Sequence, residues 1–161
     1  MAETMKPTVY LETSVVGYLT ARPSRDLIVA AHQQITQEWW EFHRSKFDLY
    51  VSQIVQREIG TGNPQFAQER LEAVRGLLPL TATPQAVALA RTLTELGALP
   101  LKAEVDALHM AIAAVNGLDY LLTWNSRHIA NARTRPKIEA LCRAAGYEPP
   151  TICTPEELME E

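Results

Sequence analysis

Residues 8–14, Thr-Val-Tyr-Leu-Glu-Thr-Ser, decide the fold class. Thr8 to Leu11 is a compact β-branched, aromatic and aliphatic run, the composition of a buried strand. Glu12 closes it, and Thr13 or Ser14 is placed to cap a short helix through about Leu19. A strand running straight into a helix is the first half of a β-α-β unit, and the same grammar recurs along the chain. Phe47 to Val51 reads as a second strand, with Ser52 capping a helix that carries Ile54, Val55, Glu58 and Ile59. Tyr120 to Trp124 is another buried strand followed by helical sequence, and Thr151 to Cys153 is a short final one.

Between these strands the pattern is helical. Ser24, with Leu27 onward, opens a long helix to about Lys46 whose one face holds Leu27, Ile28, Ala31, Ile35, Trp39 and Phe42. Gly60-Thr61-Gly62-Asn63-Pro64 breaks the chain before a helix from Phe66 to Arg75, and Leu77 to Leu80 is a short strand or extended link. Pro84 opens a helix to about Leu96, stopped by Gly97. Lys102 to Asn116 is the most apolar helical stretch, with Gly117 in the position of a C-terminal cap. Pro136 to Ala145 ends at Gly146, and Thr154-Pro155-Glu156-Glu157 has the form of a capping box with proline at the first helical position. Strands alternating with helices predict an α/β chain with a mostly parallel central sheet covered on both faces. In such sheets binding sites form at the carboxyl ends of the strands.

A length of 161 residues suits one domain with one core, here about residues 8–154 of a single unit spanning 1–161. Hydrophobic residues at 47% and charged residues at 21% are ordinary for a globular protein, so no disordered or fibrous class is needed. The net charge of −4 gives no global attraction to nucleic acid, which leaves that role to a local basic rim. Cys142 and Cys153 lack metal-ligand spacing and read as small buried hydrophobes in a reducing compartment. The start, M-A-E-T-M-K-P-T, has no apolar signal core, and no run approaches the ~20 residues of a membrane span, so a cytoplasmic protein is expected.

Four side chains far apart in sequence fall where such a sheet gathers them: Glu12, Glu58, Asp106 and Asn125. Glu12 and Asn125 each follow an apolar strand. Asp106 lies in the first turn of its helix, where the dipole favours an anion. Glu58 is flanked by Ile54, Val55 and Ile59, at the edge of a core-facing surface where a carboxylate is costly unless paired or bound to metal. Each alone has an ordinary structural reading, as a helix-start acid, a solvated helix residue or a dipole partner. Their combination points to a hard cation held by oxygen ligands. Arg22 and Arg25 flank a break after the first motif, and Arg127, His128, Arg133, Arg135 and Lys137 follow the fourth; both groups are candidates to neutralise phosphates. Tyr18, Trp39 and Trp40 are candidates to stack bases or to form a dimer surface, with one tryptophan in the core. His109 reads as a packed helix histidine. No H-E-x-x-H, G-x-x-x-x-G-K-[ST] or strand-linked G-x-G-x-x-G occurs, which disfavours zinc-protease and nucleotide-binding classes.

Y-L-E-T-S at 10–14, an acid after the second strand, D-A-L-H-M-A-I-A-A at 106–114 and L-L-T-W-N-S-R-H-I-A-N at 121–131 together resemble the PIN-domain family, in particular the VapC-type toxins of type II toxin–antitoxin pairs. The resemblance runs from about Thr8 to Thr154. It implies a three-layer α/β/α sandwich, a nuclease that cleaves single-stranded RNA with Mg²⁺ or Mn²⁺, a homodimer, and an antitoxin partner. By the same resemblance Glu12, Glu58 and Asp106 are metal-site acids and Asn125 completes the catalytic set, with Asp106 and Glu12 as direct ligands. Thr13 and Ser14 become polar neighbours of the metal, and Arg22, Arg25 and Arg127 join them as substrate-binding candidates. Two departures stand out. Glu12 replaces an aspartate and reaches about 1.5 Å further, and Asn125 offers a carbonyl oxygen without charge where an acid is common. The competing expectation is a PIN-like module that binds RNA or protein through an attenuated metal site.

Overall fold

A computed structural model describes residues 5–159, and every count below is of those residues. The reading of the first four residues as free of a signal core lies outside them. The chain runs β1 (Thr8–Leu11), α1 (Thr13–Thr20), α2 (Leu27–Phe42), β2 (Asp48–Ser52), α3 (Gln53–Ile59), α4 (Pro64–Ala73), β3 (Pro79–Leu80), α5 (Pro84–Glu95), α6 (Glu104–Val115), β4 (Tyr120–Leu122), α7 (Arg135–Ala144) and β5 (Thr151–Cys153). Among the described residues five strands form one sheet in the order β3-β2-β1-β4-β5, every pair parallel. One set of helices, α1 to α4, packs together, and so does the set α5 to α7. The result is a three-layer α/β/α sandwich, whose parallel sheet covered on both faces is what the alternating sequence pattern predicts. Among the described residues no helix is long and apolar enough to cross a membrane.

The core explains the architecture. Val9, Tyr10 and Leu11 of β1 and Leu121 and Leu122 of β4 are fully buried, as strands covered on both faces require. In α6 the buried residues Ala107, Ala111, Ala113 and Ala114 carry small side chains, which lets the helix lie close to its neighbours, while Met110 and Ile112 fill the space between. Gly117 adopts φ +66 directly beyond that helix, a conformation that glycine takes without a Cβ penalty, and β4 begins three residues later.

Topology then places the site. From β1 the chain builds outward through β2 and β3, returns, and builds through β4 and β5 on the other side. The order reverses between β1 and β4, so the crevice at their carboxyl ends is the switch point. Register fixes which residues meet there: Leu11 pairs with Leu122, and the Glu12 N–H donates to the Leu122 carbonyl at 3.0 Å.

Several local expectations need correction. The N-cap of α1 is Glu12, not Thr13 or Ser14, and no side chain caps that end; the two hydroxyls serve carboxylates instead. Asp26, not Ser24, caps α2 by accepting from the Ile28 and Val29 N–H groups. The helix ends at Phe42, followed by a 3-10 turn over Arg44–Lys46. Its buried stripe is Gln33, Thr36 and Trp39, whereas Leu27, Ile28 and Phe42 are 86%, 70% and 66% exposed. Two of those buried side chains are polar because they hold loops: Gln33 accepts from the Ser24 N–H and donates to the Arg22 carbonyl, and Thr36 accepts from the Trp124 indole. The segment after β4 is a series of turns rather than helix. Cys142 and Cys153 are free and buried, and burial pushes their thiols up to about 11 and about 12, so neither is poised as a thiolate.

Leu122 sits fully buried in the strand that carries the site's second half. Leu122→Ala is expected to lower unfolding free energy by about 2–5 kcal/mol, read from urea denaturation; a loss below about 1 kcal/mol would contradict this placement.

Candidate active site at the strand carboxyl ends

Glu12 leaves β1 in extended geometry, φ −78 and ψ 157, and its side chain turns inward to only 5% exposure. A carboxylate so buried needs partners. Its Oε1 accepts from Ser14 Oγ at 2.5 Å and from Thr123 Oγ1 at 2.6 Å. Those hydroxyls also accept from the backbone: Ser14 Oγ from the Trp124 N–H of the segment opposite at 2.9 Å, and Thr123 Oγ1 from the Asn125 N–H two residues along its own segment at 2.9 Å. The two strand ends are therefore stitched together through the glutamate.

The network continues outward from Asn125. Its amide donates to Asp106 Oδ1 at 3.0 Å, and its carbonyl oxygen accepts from the His128 N–H at 3.1 Å. His128 returns its own Nδ1 to Asp106 Oδ2 at 2.7 Å, and its carbonyl accepts from Thr134 Oγ1. An aspartate at 125 would bring a second carboxylate against Asp106, a contact that requires a proton or a cation. The amide needs neither.

Glu58, in the last turn of α3, adjoins the same cluster through Thr13, whose hydroxyl donates to Glu58 Oε1 at 2.6 Å. His109 Nε2 meets that oxygen at 2.6 Å. Asp106 and His109 are three apart in α6 and share a helix face, so one helix touches both halves of the site. Burial pushes the Glu58 carboxyl up, but the hydrogen bonds from His109 and Thr13 and the favourable electrostatics of His109 outweigh it, leaving the group below its ordinary value.

The structure thus brings Glu12, Asp106 and Asn125 into one bonded network, with Glu58 beside it through the residue next to Glu12. Thr13 and Ser14 belong to the site as hydroxyls that hold carboxylates. The predicted arginines do not join the network. Arg22 pairs with Glu69 at 3.1 Å and lies over the Phe66 ring. Arg25 and Arg127 are exposed, with no ion pair among the described residues. Of the aromatic candidates, Trp39 is core, Trp40 carries the Arg44 guanidinium 4.3 Å from its ring centre, and Tyr18 leans on Trp124, whose ring stacks on His32 at 4.1 Å. Three participants had no part in the site as read from the sequence: Thr123, Tyr10 and Ser52, the last of which was read only as a helix cap. Two histidines had other roles, since His128 turns inward to Asp106 instead of rimming the site and His109 is bonded through both ring nitrogens. The available signal was His109 itself, a basic side chain on the apolar face one turn from an acid.

Oxygen-rich chemistry here suits a hard dication. Glu12 and Glu58 each take both hydrogen bonds on Oε1, which leaves each Oε2 open among the described residues. The acids do not stand as a finished cage: among the described residues no three His, Cys, Asp or Glu side chains come together as a metal-binding group. Each Asp106 oxygen already accepts one hydrogen bond, Oδ1 from Asn125 and Oδ2 from His128, which leaves each with a further lone pair. The larger surface hollows, about 570 Å³ and 510 Å³, lie at the amino ends of the strands, beside Thr8, Asp119 and Thr151 and beside Asp48 and Phe47, on the edge opposite this chemistry.

The crystal structure of VapBC2 from Rickettsia felis bound to a DNA fragment from their promoter matches with a TM-score of 0.54, at 13% identity, over 91% of this chain and 98% of that one. The likeness is one of fold. No family profile and no curated relative matches the sequence.

Linkage gives Glu58 a signed pH effect. A carboxyl that binds its proton more weakly when folded stabilises above its unfolded pKa of about 4.5, and that contribution disappears as pH falls through the folded value. Urea unfolding of metal-free protein across acidic pH should show a steeper loss for wild type than for Glu58→Gln; parallel curves would contradict the assignment.

Proposed function

We propose that the chain is a metal-dependent endoribonuclease that cleaves single-stranded RNA and acts as the toxin of a toxin–antitoxin pair. One observation carries the reading: Glu12, Asp106 and Asn125 are joined through Thr123 where β1 and β4 end, with Glu58 adjacent. The fold likeness to VapBC2 supports it, as does the resemblance of the sequence motifs to those of VapC-type toxins. Mg²⁺ or Mn²⁺ would be held by Glu12, Asp106 and Glu58. When bound it would polarise a phosphate oxygen and acidify water at neutral pH.

The chain's own residues supply the rest. Ser14 and Thr123 hold the Glu12 carboxylate, and Thr13 and His109 hold Glu58, so each acid presents its second oxygen without reorganising. Asn125 orients Asp106 and anchors the loop that carries His128. Arg25 and Arg127, free of ion pairs among the described residues, are available to RNA phosphates, whereas Arg22 is committed to Glu69. An antitoxin and a second copy of this chain are the partners the reading calls for, and the cytoplasm its compartment.

A second reading keeps the fold and removes the turnover. It draws on Asn125 and on the donor that each Asp106 oxygen already has, an arrangement held without a cation. It describes a module that binds RNA or protein without cleaving.

Incubating a mixed single-stranded RNA pool with purified protein and Mn²⁺, Mg²⁺ or chelator separates the two. The nuclease reading expects cleavage with either metal, none with chelator, and a loss of roughly 100-fold or more in Asp106→Asn, since each 1.36 kcal/mol of barrier is tenfold in rate. Unchanged turnover in that variant sinks the assignment. A folded protein inert with both metals, gaining activity as Asn125→Asp, establishes the second reading.

A further inference from the structure

Behind the acidic site, three polar side chains are buried in the core with 0% exposure: Tyr10, Ser52 and His109. Packing alone does not ask for them. Phenylalanine would fill the place of Tyr10 in the central strand, and an unpaired hydroxyl or imidazole there is costly. They form a single file. The Val55 N–H donates to Ser52 Oγ at 3.1 Å, Ser52 Oγ lies 2.8 Å from the Tyr10 hydroxyl, and that hydroxyl lies 2.6 Å from His109 Nδ1. The other ring nitrogen, Nε2, reaches Glu58 Oε1 at 2.6 Å.

The direction of the file follows from counting protons. Glu58 is an acceptor, so His109 Nε2 carries a hydrogen toward it. Ser52 and Tyr10 each own one hydroxyl proton, and Ser52 already accepts from the backbone. If Ser52 donates to Tyr10 and Tyr10 donates to Nδ1, every proton has an acceptor. If the file ran the other way, the Ser52 proton would have no acceptor among the described residues.

We infer that Tyr10 and His109 are positioning residues: the buried phenol, by donating to Nδ1, holds the imidazole in its Nε2–H tautomer and so pins Glu58 by Oε1, leaving Oε2 as the open acceptor. The functional part rests on the proposed reading, in which Glu58 belongs to the active site; the tautomer part does not. Ser52 links this device to the fold twice, as the last residue of β2 and as the N-cap of the helix that carries Glu58. A shift of β2 against β1 would therefore reach Glu58 directly. Outer partners of this kind are worth about 10–100-fold in metal affinity or activity when removed.

The test has two arms, each on intact chains. In the first, ¹⁵N-histidine NMR of metal-free protein at one neutral pH reads the His109 tautomer. The proposal expects protonated Nε2 and unprotonated Nδ1 in wild type, and a shift toward the Nδ1–H form in Tyr10→Phe. A proton on Nδ1 in wild type, or a tautomer indifferent to Tyr10→Phe, overturns it. The second arm measures Mn²⁺-dependent RNA cleavage and melting temperature together. Tyr10→Phe and His109→Leu should lower kcat by about 10–100-fold with KM little changed, and His109→Gln, which retains an N–H donor, should recover part of the loss. A fall in melting temperature with kcat intact makes the file purely structural and overturns the positioning role. If wild type neither cleaves RNA nor binds Mn²⁺, the nuclease reading fails, while the tautomer arm still decides the relay.

Discussion

The site depends on the parallel pairing of β1 with β4, in which Leu11 stands beside Leu122. That register makes Glu12 and Thr123 the next residues out on neighbouring strands, and a slip of one residue would turn either side chain to the opposite face. Once they meet, a buried carboxylate has a hydroxyl donor from the other strand, and the loops beyond both strands are tied in through Ser14 and Asn125. The same pairing puts Tyr10 beside Leu121 in the middle of the sheet, from where its hydroxyl reaches both Ser52 and His109. Both halves of the acidic cluster are thus consequences of one strand register.

Electrostatics explains why the cluster is so heavily bonded. Three carboxylates near one crevice repel one another, and burying Glu12 adds a desolvation cost. The chain offsets this with hydroxyls on Glu12, a hydroxyl and an imidazole on Glu58, and an amide and an imidazole on Asp106. Asn125 adds no negative charge to the cluster and, as an amide, donates to Asp106 where a carboxylate would repel it. The set is therefore held by its own donors, and among the described residues it does not form a finished cation cage.

Features governed by local chemistry were legible in the sequence. The strand Thr8–Leu11, the Ser52 cap on α3, Gly117 at positive φ after α6 and the Thr154 capping box all depend on side chains within a few residues of one another. The placement of Glu12, Asp106 and Asn125 at strand and helix ends was legible for the same reason. What failed depended on distant partners. The buried stripe of α2 is set by loop groups that Gln33 and Thr36 satisfy, so its aliphatic residues Leu27 and Ile28 face out despite their hydrophobicity. Arg22 was drawn to Glu69, 47 residues away. His109 looks like packing until Tyr10, 99 residues away, is seen at its other nitrogen. Turns over 126–134 replace the expected helix because Asn125, Asn131 and Thr134 bond to the backbone of that loop, an alternative these residue types offer in place of helical hydrogen bonds.

The most direct measurement is anomalous diffraction from crystals of the protein equilibrated with saturating Mn²⁺. The account predicts a manganese peak among the carboxylate oxygens of Glu12, Glu58 and Asp106. A well-ordered crystal with no peak at that site would contradict it.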